Sequence, residues 1–158
     1  MAKGKTNAMR LLDQSKVSYE IMTYDVADGK IDGLSVAEKT GKSGQTVFKT
    51  LVTVGASKQN YVFVIPVDKE LDMKKAAKAS GEKKIEMIHV KDIQKITGYI
   101  RGGCSPIGMK KQYPTIIDAS AKDLKSMIVS GGKLGTQIEL RLQVLIKMRS
   151  AELYEIAQ

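Results

Sequence analysis

Tryptophan is absent from this 158-residue chain, cysteine and histidine occur once each, and proline occurs only three times. One cysteine, Cys104, excludes an internal disulfide framework. Cys104 and the single histidine, His89, cannot by themselves supply the roughly four ligands of a structural zinc site, so neither a metal nor a cofactor is expected. Aromatic residues make up 5% of the chain, which weighs against a single-strand-binding platform of stacked rings. No apolar run approaches the roughly 18–20 residues that cross a bilayer, and the opening MAKGKTNAMRLLDQ lacks an apolar signal-peptide core. A soluble, cytoplasmic protein with no membrane partner is expected.

What is present fits one domain spanning residues 1–158, because 42% hydrophobic residues can bury a core at this length. Acidic residues are outnumbered, 17 Asp and Glu against 26 Lys and Arg, giving a formal charge of +9. Such an excess favours a polyanionic partner, since neutralising phosphates releases counterions; RNA, DNA and anionic lipid all fit on charge alone.

Along the chain, TNAMRLLDQS (residues 6–15) has a short helical face, and VSYEIMTY from Val17 to Tyr24 alternates as a strand does. Asp25 to Gly33 reads as a loop. Ser35 and Glu38 form a capping-box pattern that opens a short helix ended by Gly41. KTLVTVGA from Lys49 and NYVFVIPV from Asn60 flank Ser57-Lys58-Gln59 and predict a hairpin of central strands. Asp72 can cap the helix MKKAAKAS, which Gly81 ends, and HVKDIQKIT (His89–Thr97) is a second helical pattern closed by Gly98. TIID (Thr115–Asp118) and MIVS (Met127–Ser130) read as strands around a helical turn at SAKDL. SGGKLG is a second glycine-rich loop, followed by a short strand QIEL, a helix RLQVLIKMRS and a final strand ELYEIA. Strands and helices are interspersed without a βα rhythm, which predicts an α+β fold with a mixed, largely antiparallel sheet surrounded by helices.

Four features could carry chemistry. Cys104 is either a nucleophile activated by its surroundings or a small buried hydrophobe. The loops RGGCSPIG and SGGKLG are either backbone cradles that let a ligand approach the chain closely or two tight turns. Lys49, set among Val47, Phe48, Leu51 and Val52, is a snorkelling edge residue or a cation held over a site. Lys74, Lys75, Lys78, Lys83 and Lys84 form a solvated helix face or a phosphate-contacting surface.

VFKTLV (Val47–Val52), KKAAKASGEKKIEM (Lys74–Met87), TGYIRGGCSPIGMKK (Thr97–Lys111) and VSGGKLG (Val129–Gly135), in that order, resemble the YbaK/EbsC family. That family is related to the editing domain inserted in bacterial prolyl-tRNA synthetases. The resemblance runs from about Leu11 to near the C-terminus and implies a mixed sheet, partly rolled into a barrel, in a freestanding aminoacyl-tRNA deacylase acting on cysteinyl-tRNA(Pro), with cysteinyl-tRNA(Cys) as a second candidate substrate, by a substrate-assisted reaction that needs no protein nucleophile. It implies aminoacyl-tRNA as substrate and prolyl-tRNA synthetase as a further partner. Lys49 matches the family's essential lysine, with Gly102 as the other catalytic position. Tyr24, Thr50, Gly103, Ser105, Pro106, Ser130, Gly131 and Gly132 match substrate-binding positions. Two positions depart from the pattern: relatives commonly carry an aliphatic residue at Cys104, and some carry aspartate or serine at Gln137. An alanyl-tRNA deacylase using an activated water, and a non-catalytic module that binds tRNA or a nucleotide, are the alternative functions.

Overall fold

Two sheets divide the strands of the structure, a computed structural model that describes residues 5–158. One sheet is antiparallel, with β1 (Glu20–Thr23) and β6 (Ser126–Lys133) on either side of β7 (Thr136–Arg141). The other runs β4-β2-β3-β5-β8, with β2 (Phe48–Gly55), β3 (Asn60–Pro66), β4 (Ile85–Met87), β5 (Thr115–Asp118) and β8 (Glu152–Tyr154). Its β3–β5 and β5–β8 pairings are parallel and its β2–β3 and β2–β4 pairings antiparallel. A parallel bridge from Val47 to Ile128 links the two sheets. The mixed, largely antiparallel α+β architecture is therefore present, as two sheets with no closed barrel among the described residues.

Five α-helices pack around this frame: α1 (Asn7–Gln14), α2 (Gly33–Thr40), α3 (Met73–Ser80), α4 (Ile93–Thr97) and α5 (Leu142–Arg149). Met9 and Leu12 of α1 pack with Val62 and Val64 of β3, Met127 and Val129 of β6, and Ile138 of β7 in one core between the sheets. Phe63 and Ile65, on the opposite face of β3, lie in a second core with Ala76 and Ala77 of α3, Ile85 and Ile116. A strand apolar on both faces is a central strand, and each such side chain contributes about 1.5–3 kcal/mol by leaving water.

The structure corrects several boundaries. The expected strand Val17–Tyr24 shortens to Glu20–Thr23, because the chain is still leaving α1. Lys16 adopts a left-handed φ of 56°, Val17 N–H donates to the Leu12 carbonyl, and the Tyr19 hydroxyl donates to Asp13. Helix α2 is capped by Asp32 in place of Ser35: the Asp32 carboxylate accepts from both the amide (3.2 Å) and the hydroxyl (2.7 Å) of Ser35. An ionised carboxylate is the stronger acceptor and takes the helix start with it. SGGKLG is not a free-standing loop. Strand β6 continues through Lys133, its register against β7 shifting between Ser130 and Lys133 so that Gly131 and Gly132 form a bulge, and the chain turns only at Leu134-Gly135. His89–Thr97 divides into a 3₁₀ turn, Val90–Asp92, followed by α4. Strand β4 is an element with no expectation, being too short to show alternation.

Candidate active site

The start of β2, the bulged end of β6, the start of β7, the N-terminus of α2 and the loop after α4 converge on one cleft of about 550 Å³. Each wall has a local cause. Strand β2 begins beside the Val47–Ile128 bridge, where the two sheets meet, and this sets Lys49 and Thr50 over the gap between them. On the facing sheet, Ser130 pairs with Gln137 in the β6–β7 register, and both line the cleft. Cross-strand partners share a face, so a hydroxyl and a carboxamide stand side by side. Tyr24 lies just past β1, its N–H tied 3.0 Å from the Gly135 carbonyl. Asp32, the cap of α2, forms part of the rim.

The loop Gly98–Gly108 supplies the remaining wall and is laced from within. The buried Tyr99 hydroxyl donates to the Ile107 carbonyl at 2.7 Å, the Gly103 N–H donates to the Ile100 carbonyl at 3.0 Å, and Ser105 Oγ accepts from the Ile107 N–H at 3.3 Å. Gly102, at φ +84°, is a position that favours glycine, and it faces the cleft beside Arg101 and Cys104. Gly103 faces the other way. A Cβ on it would stand 2.8 Å from Lys133 Cα and 2.9 Å from the Lys133 carbonyl carbon. The two glycine-rich segments thus touch backbone to backbone, and Gly103 is what permits the contact.

Of the positions singled out in the sequence, Lys49, Gly102, Tyr24, Thr50 and Ser130 line the cleft. Gly103, Ser105, Pro106, Gly131 and Gly132 do not. Ser105 is fully buried and its hydroxyl is engaged with the Ile107 amide, while Pro106 is buried beside it. Gly131 is held from behind, its carbonyl accepting from Thr6 Oγ1 at 2.5 Å, and Gly132 N–H donates to Ser130 Oγ at 3.2 Å. These residues shape the walls. Lys74, Lys75, Lys78, Lys83, Lys84 and His89 lie outside the cleft, with Lys75 near Glu155 and Lys84 near Glu86.

The polar groups of the cleft differ in how far the protein already satisfies them. Asp32 is committed: hydrogen bonds from the Ser35 hydroxyl and amide hold its carboxyl below the ordinary range. Cys104 is a thiol, pushed up to about 11 by burial although a hydrogen bond with Thr97 pulls the other way, and so is far from a thiolate nucleophile at neutral pH. Lys49 pairs with no carboxylate among the described residues. Two buried oxygens, Thr50 Oγ1 and Gln137 Oε1, have no hydrogen-bond partner among the described residues, and Gln137 as a residue is only 6% exposed. Buried polar atoms are rarely left in this state. Arg101, Asp32 and Gln137 were not among the expected contacts. Arg101 had a signal in its place beside Gly102 and Gln137 in its departure from the family pattern, whereas Asp32 is brought in only by the capping of α2. Among the described residues no cluster of His, Cys, Asp and Glu could hold a metal ion, and no helix is long and apolar enough to cross a membrane.

The family model of the aminoacyl-tRNA editing domain matches residues 34–148. This chain is 49% identical over 152 residues to EbsC of Enterococcus faecalis, named as a proposed Cys-tRNA(Pro)/Cys-tRNA(Cys) deacylase, covering 96% of this chain and 93% of that protein. It is also 29% identical over 97 residues to a proline–tRNA ligase of Brachyspira hyodysenteriae, covering 61% of this chain but 17% of the ligase. Among solved structures, a proposed trans-editing enzyme for prolyl tRNA synthetase superposes with a TM-score of 0.81 at 18% identity, covering 98% of each chain. The hypothetical protein APE2540 gives 0.88 at 18% identity, covering 97% of this chain and 100% of that one. At such identities the superpositions speak for the fold.

Proposed function

This chain belongs to the aminoacyl-tRNA editing domain family, and from that membership we infer that it is a freestanding deacylase that hydrolyses cysteinyl-tRNA(Pro). One observation in the cleft supports this reading above the others: among the described residues Lys49 pairs with no carboxylate, and the buried oxygens of Thr50 and Gln137 have no hydrogen-bond partner. A polar, unsatisfied cleft lacking any poised nucleophile suits a substrate that carries its own.

An aminoacyl-tRNA ester is already activated, so positioning and charge stabilisation are the main tasks. In a cysteinyl ester the substrate thiol attacks its own carbonyl carbon. A carbon–sulfur bond forms, the ester carbon–oxygen bond breaks, and the thiol proton ends on the departing ribose oxygen. Water then opens the cyclic thioester to free cysteine. Lys49 supplies a compact positive charge for the terminal phosphate or the developing oxyanion, and Gly102 presents backbone at close range. Thr50, Ser130 and Tyr24 surround the aminoacyl group, with Gln137 beside them. Gly103, Ser105, Pro106, Gly131 and Gly132 act by holding the two glycine-rich walls in place.

The test is turnover of cysteinyl-tRNA(Pro) by wild type and by Lys49→Ala. The variant is expected to fold and to lose deacylation; near-native turnover by it overturns the role of Lys49. Faster hydrolysis of alanyl-tRNA than of cysteinyl-tRNA would replace self-attack by an activated water, and no hydrolysis of either would leave a binding module. The same reading carries two further proposals: that prolyl-tRNA synthetase directs the enzyme to its tRNA, testable by co-purification from cells, and that the protein works in the cytoplasm, where that substrate is made.

A further inference from the structure

The proposed reaction leaves one buried cation unused. Arg149 closes α5 and is only 7% exposed. Its Nη2 donates to the Tyr113 carbonyl at 2.8 Å and to Thr115 Oγ1 at 3.2 Å, while its Nε is buried with no acceptor among the described residues. No carboxylate pairs with it among the described residues. Burial pulls its pKa down, but a guanidinium remains protonated, so the charge stands uncompensated. Arg149 forms one wall of a cavity of about 230 Å³ whose lining differs from that of the catalytic cleft. Lys110 and Lys111 line it too, and no Asp or Glu does. The Lys110 ammonium donates to the Lys95 carbonyl at 3.2 Å, leaving its charge unneutralised. The remaining wall includes Leu11, Ile107 and Met148, so the buried Arg149 guanidinium lies in partly apolar surroundings where its charge is poorly screened, while Lys110 and Lys111 are exposed.

We propose that this cavity is a phosphate-binding subsite that takes a phosphodiester of the tRNA backbone, lined by the buried Arg149 and the exposed Lys110 and Lys111. The assignment rests on reading the chain as a tRNA-directed enzyme. One stretch of chain serves both places: Arg101 and Gly102 line the cleft, and Ile107 to Gln112 line this cavity. A backbone phosphate held here fixes the RNA in register with the cleft without reading any base.

The test uses uncharged tRNA(Pro), so that binding is read apart from turnover. The variant Lys110→Gln/Lys111→Gln removes surface charge without touching the contacts of Arg149. Its plot of log affinity against log salt is expected to flatten by about 1 relative to wild type, as loss of one phosphate contact requires, with kcat on saturating cysteinyl-tRNA unchanged. In parallel, the Arg149 Nε–H resonance, assigned by its loss in Arg149→Lys, is expected to move on addition of an acceptor-stem minihelix. An unchanged salt slope, or a resonance that responds to inorganic phosphate and not to the minihelix, overturns the RNA subsite. Flattening in a protein that hydrolyses no aminoacyl ester would sink the deacylase reading and leave the subsite standing. Full deacylation with an unchanged slope does the reverse.

Discussion

Replacing Thr50 by valine should make the protein more stable and less active. Thr50 Oγ1 is buried without a hydrogen-bond partner among the described residues, and an orphaned buried hydroxyl costs roughly 1–3 kcal/mol of lost hydration. Valine has nearly the same shape, is an equally good strand former, and leaves the backbone pairing of Thr50 with Val64 intact. Taking the lower end, the Thr50→Val protein gains about 1 kcal/mol, which for a chain of this size raises Tm by roughly 2–4 °C. The same hydroxyl, if it bonds the aminoacyl group or ribose, is satisfied only in the complex. Its loss then costs about 1–3 kcal/mol of transition-state binding, a fall in kcat/KM of roughly 5- to 150-fold. Thermal unfolding and cysteinyl-tRNA deacylation on one preparation give both numbers. A variant that is less stable and turns over normally would refute the argument, since it would mean that the hydroxyl serves the fold and never meets substrate.

Cys104→Val should retain most deacylation, because a thiol pushed up to about 11 is not ionised at working pH; loss of turnover in the folded variant, measured with cysteinyl-tRNA, would revive the nucleophile. Gly103→Ala should destabilise the protein by about 1–3 kcal/mol, as overpacked sites do, since its Cβ would meet the Lys133 backbone at 2.8 Å; an unchanged Tm would show that the two glycine-rich walls can part freely. Asp118 predicts part of the acid sensitivity. Burial alone would raise its pKa, but hydrogen bonds from Ser120 and from the amides of Ile156 and Ala157 hold it below the ordinary carboxylate value. A depressed folded-state pKa contributes stability that is full above the unfolded pKa, near 4, and is lost as pH falls through the lower folded value. Asp118→Asn should therefore lower stability at neutral pH and flatten the acid limb of urea-unfolding midpoints below about pH 4; a parallel displacement of the whole curve would count against it.

The strands that carry the site were legible because β2 and β3 are dense in β-formers, and Gly41, Gly81 and Gly98, each in the left-handed region at a helix end, marked where helices stop. Asp32 was not legible as a cap, since Ser35 with Glu38 offered a better-known local pattern, and only the folded distances show the carboxylate taking both Ser35 donors. The glycine-rich segment after Val129 reads locally as a loop for a related reason: a bulge keeps pairing with the neighbouring strand, and pairing is invisible to a window of local sequence.

What local sequence could not supply at all is the convergence. Lys49, Ser130 and Gln137 meet because Val47 bridges to Ile128 and Ser130 stands opposite Gln137. A slip of one residue in β7 would turn Gln137 out of the cleft and bury its neighbour there. The bulge at Gly131 and Gly132 lets β6 reach the Gly98–Gly108 loop without carrying that slip into the pairs from Ser126 to Ser130. Gly103 then closes the gap, backbone against backbone, at Lys133. The glycines are thus needed chiefly by the walls, and on the proposed reading the cleft oxygens of Thr50 and Gln137, which have no partner among the described residues, are left for the substrate.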